Sequence, residues 1–448
     1  PPALNYVVEG TTGDDLIDVE YLGDPEGDRV DNSDALDGSQ DDVIEAGDGN
    51  DTILAGEGDD SIEAGDGDDS VVGGDGNDTL RGGWGDDTLY GGAGNDEIEG
   101  LYGNDLIYAG AGDDHVFGRD QDDLIYGEEG NDTLIGSMGT DTLWGGDGND
   151  TLAGSQGNDE IHGGAGDDLA FIGVSEDSDR IFLDEGNDFL DGGSAGSSFY
   201  GEGGAGNDKM NAGVGDDTLL GGTGKDTLDG GAGADTLAGG EGNDSVFGGN
   251  GEDLVQGGED DDLVRGGRND DVLIDTTGTD RLQGDGGDDL IIASGTMDPD
   301  AEAAFLADPT PENGIGNLLD QLQIDFSADS DTEGDQAFGG SGDDTVIFGV
   351  NDTVGGGSGA DTFVTASWLE GQEAATVTDF DPAEDQLMYA YDPADGEPEL
   401  TVELIENSDG TSDAVISANG SEVIRVLDQD DSFDLTEHVL LLNGVRAA

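Results

Sequence analysis

An aspartate stands at every ninth residue along two long stretches of the chain. The first series is Asp42, Asp51, Asp60, Asp69, Asp78, Asp87, Asp96, Asp105, Asp114, Asp123, Asp132, Asp141, Asp150, Asp159 and Asp168. The second is Asp208, Asp217, Asp226, Asp235, Asp244, Asp253, Asp262, Asp271, Asp280 and Asp289. Looser copies put Asp188, Asp344 and Asp361 in the same setting. Each carboxylate follows a glycine-rich stretch whose backbone carbonyls are expected to lack strand partners. Such hard oxygen ligands, with no nitrogen or sulfur beside them, select Ca²⁺ rather than zinc or copper. Cysteine is absent, which excludes disulfides, thiolate metal sites and thiol catalysis. The three histidines, His115, His162 and His438, are too scattered for a transition-metal site.

The elements that must position these carboxylates follow from the same period. Residues 37–171 divide into fifteen nonapeptides without a slip, and residues 203–292 into ten more. In this frame position 6 is always Asp, and position 8 is Ile, Leu, Val or Met in all but Ala170. Position 4 is Gly except at Gln40, Gln121, Asp260 and Asn269. Gly73-Gly74-Asp75-Gly76-Asn77-Asp78 reads as a turn, because glycine tolerates positive φ and Asn and Asp suit turns. Thr79-Leu80-Arg81 reads as a short strand with Leu80 alone facing inward.

Composition by itself points elsewhere. Among 448 residues, 110 acidic side chains against 11 Lys and Arg give a net charge of −99, with only 33% apolar types. That combination is the signature of disorder. The period overrules it, since an acidic surface or a disordered tail would scatter its carboxylates. The charge argues against nucleic acid or an anionic membrane as partner. No apolar window is long enough to span a bilayer. Pro1-Pro2-Ala3-Leu4 has no features of a secretory leader and no initiator Met, so the chain reads as processed or cut from something longer.

The pattern G-G-x-G-x-D-x-U-x, as in Gly73 to Arg81, resembles the calcium-binding nonapeptide repeat of RTX (hemolysin-type) proteins. The resemblance implies an all-β fold, a right-handed parallel β-roll in which two nonads make one coil. It implies Ca²⁺ between successive coils, held by the position-6 aspartates named above and by turn carbonyls, roughly two dozen ions in all. It also implies export by type I secretion machinery and an extracellular or cell-surface location, with the metal as a folding requirement. One apolar side chain per nonad is little to set against the entropy of ordering nine residues.

Several segments depart from the strict register. Residues 1–36 hold one early repeat at 10–18; the main roll is expected over 37–292, with insertions near 172–173 and 192–202. Residues 293–338 read as irregular or helical, with short helices opening at Asp298-Pro299 and over 315–324. Asp329 to Gly334 resembles the start of an EF-hand loop, but Gly340 stands where the bidentate Glu belongs. Repeats return over 339–364. Residues 365–448 read as a β-rich cap with strands at 375–380, 400–405 and 423–427. Val377 to Leu387 is similar to the stretch after the repeats in RTX proteins, where the C-terminal part caps the roll and carries the secretion signal.

Two glycine-rich runs mimic catalytic motifs. Gly192-Gly193-Ser194-Ala195-Gly196 matches a nucleophile elbow, and Gly201 to Gly206 a dinucleotide fingerprint. Neither has the strand-turn-helix setting the chemistry needs, and no H-E-x-x-H is present. The expectation is a structural calcium-binding protein rather than an enzyme, or else the folding module of a longer toxin, hydrolase or adhesin. An ice-binding role would need threonine arrays on the turns, whereas position 3 runs Ser39, Asp48, Glu57, Asp66, Asp75, Trp84, Ala93. Alternate nonads should feed opposite sheets. Leu54, Val72, Tyr90, Tyr108, Tyr126, Trp144 and His162 would then stack on one exterior as a surface for self-association or packing. Glu45, Glu63, Arg81, Glu99, Phe117, Ile135, Ala153 and Phe171 would line the other.

Overall fold

The computed structural model describes residues 7–18, 41–173, 178–193, 196–275, 277–293, 334–366, 373–391, 397–408, 411–429 and 433–443. The chain falls into two compact units, Pro1–Val214 and Gly215–Ala448. Each is a stretch of parallel β-solenoid. The expected helices near 298 and 315, the acidic loop from Asp329, and Gln40 and Ser194 lie outside the described residues.

In the first unit successive strands alternate between two parallel sheets. Ser61–Asp66 pairs with Thr79–Trp84, setting Ile62 beside Leu80 and Glu63 beside Arg81. Ser70–Asp75 pairs with Thr88–Ala93 in the other sheet. The strands are twice the expected length. Thr79–Trp84 covers positions 7 to 9 and then 1 to 3 of the next nonad, because the glycines keep their ladder hydrogen bonds to neighbouring coils. The true turn is only Gly76-Asn77-Asp78.

Position 8 is not alone in facing inward. The burial of Thr79–Trp84 alternates so that Leu80 and Gly82, at positions 8 and 1, are both enclosed. Position 1 must be small, since a Cβ at Gly73 would press on the Asp78 carboxylate and the Gly91 carbonyl. Positions 2 and 4 have positive φ, +126° at Gly74 and +146° at Gly76, and a Cβ at Gly74 would fall on the Gly56 carbonyl. Position 4 keeps this conformation even without glycine: Gln121 has φ 80°, and Asp260 and Asn269 have φ 75°. The tightly stacked neighbouring coils impose it against local preference.

Extra residues are absorbed without losing register. The ladder repeats at 18 residues through Asp150 and Asp168, and at 20 from Asp159 to Asp179. Tyr200–Gly206 pairs with Arg180–Glu185, so Tyr200, Gly201 and Glu202 open a rung of the sheet. In the second unit Arg281 pairs directly with Gln336, 55 residues on, so the ladder resumes there at its next rung. The last coils carry the largest buried side chains, Tyr389, Phe348 and Phe363. There an antiparallel meander of Leu400–Glu406, Ser412–Ala418 and Ser421–Gln429 joins the parallel sheets, its last strand still parallel to Ala375–Val377. A one-turn helix, Leu435–His438, leads into the final strand Val439–Asn443. The strand expected over 375–380 stops at Val377, because Asp379 turns to accept the N–H groups of Gly356 and Gly357.

Candidate metal centre

Every position-6 aspartate named from the sequence is buried. Coiling gathers them into columns. In one column of the first unit the Asp60 N–H donates to Asp78 Oδ1 at 2.8 Å and the Asp78 N–H to Asp96 Oδ1 at 2.7 Å. In the second column Asp87, Asp105, Asp123 and Asp141 are linked in the same way at 2.8 to 2.9 Å. The second unit repeats the arrangement from Asp217 through Asp235, Asp253, Asp271 and Asp289 to Asp344 and Asp361.

One oxygen of each carboxylate is thus used by the backbone. The other, Oδ2, is buried without a hydrogen-bond donor at Asp51 and each ninth residue to Asp150, and again at Asp168, Asp188, Asp235, Asp244, Asp253, Asp271, Asp289 and Asp344. A buried carboxylate oxygen with no donor is costly unless something positive meets it. Burial pushes the carboxyls of Asp87, Asp123 and Asp271 up to about 8, against the lowering effect of the backbone hydrogen bond, with neighbouring aspartates adding to the rise. Asp60 and Asp235 rise to about 7, and Asp105 and Asp141 to about 6, again chiefly through burial. The donor set is carboxylate and carbonyl oxygen only. That fits a hard divalent cation.

The turn carbonyls are less free than the sequence suggested. The position-3 carbonyl of Ala93 accepts the Gly76 N–H at 2.7 Å, and the position-6 carbonyl of Asp60 accepts the Thr79 N–H at 2.8 Å. Strand pairing continues through the turn and takes these up.

The RTX calcium-binding nonapeptide repeat matches at 36–71, 63–98, 99–134, 135–170, 175–195, 202–237, 229–264, 238–273 and 265–295, more than half of the chain. The chain belongs to the RTX calcium-binding repeat family. Its roll is a calcium-binding one. Among solved structures, the chain is similar to a hyperactive, Ca²⁺-dependent, β-helical antifreeze protein from an Antarctic bacterium. The match has 23% identity, covers 62% of this chain and 83% of that one, and has a TM-score of 0.33. No curated protein matches the chain.

Asp15 of the early repeat donates its N–H to Asp51 Oδ1, and Asp179, at position 6 of a looser nonad, accepts the N–H of Asp159. The nonapeptide frame missed Asp335, Asp352 and Asp385, which each accept the N–H of the preceding column member. The signal was the triplet Asp-x-apolar without its glycines, as in Asp335-Gln336-Ala337 and Asp385-Gln386-Leu387. Position 5 forms a second, exposed ladder of opposite direction: Asp59 Oδ1 accepts the Asn77 N–H at 2.9 Å, and Asn77 Oδ1 accepts that of Asn95 at 2.8 Å. Its signal was the recurrence of Asp or Asn there. Of the two mimicked motifs, Gly201 to Gly206 lies within the strand Tyr200–Gly206 and is followed by another strand, Lys209–Asn211.

On the outer surface the expected columns form. Leu54, Val72, Tyr90, Tyr108, Tyr126, Trp144 and His162 occupy successive rungs. Tyr90, Tyr108 and Tyr126 stack with centroids 5.1 and 4.9 Å apart, and Trp144 lies 3.7 Å from His162. Phe182 extends the stack at 5.0 Å. The opposite column begins charged, and Glu99 sits 3.9 Å from Arg81 and 3.4 Å from Arg119.

Proposed function

We propose that the chain is a secreted structural protein whose roll folds on Ca²⁺ outside the cell, at a cell surface or within an extracellular assembly. Its role is architectural rather than catalytic. The position-6 aspartates from Asp42 to Asp168, with Asp188, Asp208 to Asp289, Asp344 and Asp361, would hold the ions through the oxygens the backbone leaves over. Bound calcium supplies the positive charge that the stacked carboxylates otherwise lack. The observation that carries this reading is the rank of buried Oδ2 atoms without donors.

Sites of extracellular type are empty at cytosolic calcium. An expanded acidic chain before export and a folded roll after it suit passage through a type I secretion channel. Among the described residues no helix is long and apolar enough to cross a membrane. The turn columns carry no threonine ladder of the kind an ice-binding surface would use, as Asp48, Asp66, Trp84 and Tyr102 illustrate. The stacked face of Tyr90, Tyr108, Tyr126 and Trp144 is the surface we assign to self-association, supported by the exposure of Tyr90 (39%) and Trp144 (40%).

The test is circular dichroism with small-angle scattering at neutral pH. In excess chelator the chain should be expanded and lack β-signal, and millimolar Ca²⁺ should compact it cooperatively. Mg²⁺ should not substitute, because it demands near-octahedral geometry and holds its water. A compact β-rich form in chelator at neutral pH would sink the reading.

A further inference from the structure

One residue breaks the packing rule of the roll. Position 1 faces inward, and in the described nonads of the two strict runs it is Gly or Ala everywhere except at Asp275. Asp275 follows the strand Val272–Ile274, whose neighbours across the sheet are Leu290, Ile291 and Ile292. Its side chain therefore enters the apolar interior of the coil, where it is 1% exposed. It reaches back along the column, so that a Cβ at Gly257 would collide with its Oδ2.

It meets two carboxylates there. Asp262 and Asp280 are consecutive members of one column, with the Asp262 N–H donating to Asp280 Oδ1 at 2.9 Å. Carboxylate oxygens of Asp262, Asp275 and Asp280 all lie within 4.8 Å of one another, and all three residues are buried. Neither oxygen of Asp275 receives a hydrogen bond from a donor group. Of the basic residues nearby in sequence, Arg281 is exposed, Arg268 donates to Asn250 Oδ1, and Arg265 is paired with Asp285 at 2.8 Å. No ion pair among the described residues includes Asp262 or Asp275.

An inward-pointing carboxylate with two unsatisfied oxygens, pressed against two more, is strongly unfavourable without positive charge beside it. The regular column brings two position-6 carboxylates from adjacent coils; here a third is added from inside. We infer that Asp275 turns the site between Asp262 and Asp280 into an interior three-carboxylate Ca²⁺ site that the nonapeptide pattern does not contain. The donors are oxygen only, which selects a hard cation, and the added charge makes this site tighter than the turn sites. The inference rests on the calcium reading of the roll and sets one of its ions apart from the others. That ion would pin the coil that holds Arg281–Gly286 and Leu290–Ile292.

The test is isotope exchange on the folded chain. The full-length protein is loaded with ⁴⁵Ca²⁺, then placed in excess unlabelled Ca²⁺, which keeps every site filled and the roll intact while label is lost. Wild-type protein should retain one ion per chain that exchanges about tenfold more slowly than the rest, or slower still. Asp275→Asn removes the third charge at nearly constant shape, and Asp275→Gly restores the residue the repeat uses at position 1. Both variants should lose the slow phase, with that ion exchanging like the rest, and keep the calcium-dependent β-signal. Single-phase exchange in the wild type, or a slow ion that survives in both variants, overturns the interior site and leaves the calcium reading standing. A wild-type chain that folds yet retains no label at all would overturn the calcium reading itself, and the interior site with it.

Discussion

The regular coils between Val43 and Gln156 and the closing region between Ala375 and Asn443 meet the same need by different means. In the regular coils each nonad encloses one aliphatic side chain, such as Leu80, Leu89 or Ile98, and beside it an aspartate whose Oδ2 finds no donor. In the closing region the interior is aromatic: Phe380 packs against Phe363 at 6.0 Å and Phe433 at 5.7 Å. Its acidic groups are also better served. Asp379 accepts Gly356 and Gly357, and Asp385 accepts Asp361 on one oxygen and Asp381 on the other. Protein donors there do what the coils leave to a cation. The closing region is therefore the part that can hold its shape on packing, and the coils are the part that depends on metal.

The largest effect that should separate the two regions is calcium removal. In hydrogen exchange at neutral pH with excess chelator, the amides of 43–156 should lose protection completely while 375–443 keeps part of its own. Equal loss in both would erase the distinction. Next in size is the loss of the cap. Deleting 365–448 should impair calcium-driven folding more than deleting the single interior coil 109–126, because solenoid repeats are stabilised by their neighbours and an open end frays. Matching calcium midpoints and amplitudes for the two deletions would contradict that order.

Acid should partly replace calcium. The position-6 carboxyls are raised in the folded state, to about 8 at Asp123 and about 6 at Asp141, mainly by burial. A raised acid contributes most to metal-free stability below its unfolded value near 4, and that contribution is lost as pH rises towards 8. The chelated chain should therefore gain β-signal as pH falls from 8 to 4, measured by circular dichroism. A signal that is flat over that range would break the link between burial and metal dependence.

A single substitution sharpens the same point. Asp123→Asn keeps an oxygen for the Asp105 N–H and removes one buried charge. It should stabilise the acid-free, metal-free chain slightly and weaken calcium-driven folding, a change of sign read from urea midpoints with and without Ca²⁺. An unchanged calcium midpoint would remove Asp123 from the site. Smallest is the effect of replacing Tyr108, Tyr126 and Trp144 with Thr. Each ring pair lost is worth about 0.5–1.5 kcal/mol, and strand propensity is kept. The triple variant should still fold with calcium but lose self-association by light scattering; unchanged association would return the stack to a packing role alone.

The nine-residue period was decisive at the level of sequence. It determined the turns, the short strands and the inward face of position 8, and it carried the resemblance to RTX repeats, which implies a roll of two nonads per coil. With that coil, every second copy of a position falls on the next rung, and the aspartate columns and the stacking of Tyr90, Tyr108 and Tyr126 follow. What the period could not show was anything set by contact between coils. The six-residue strands, the inward face of position 1 and the positive φ forced on Gln121 all arise where one coil presses on another. Members outside the glycine frame, such as Asp335 and Asp385, join the columns because they take the next rung, 55 and 24 residues beyond the preceding member. Asp275 looked like one more acidic residue among 110 until the fold enclosed it with Asp262 and Asp280. Sequence determines which residues share a face of a repeating coil; burial and the supply of hydrogen-bond donors are properties of the stacked coils, and only the tertiary structure decides which carboxylates are left needing a cation.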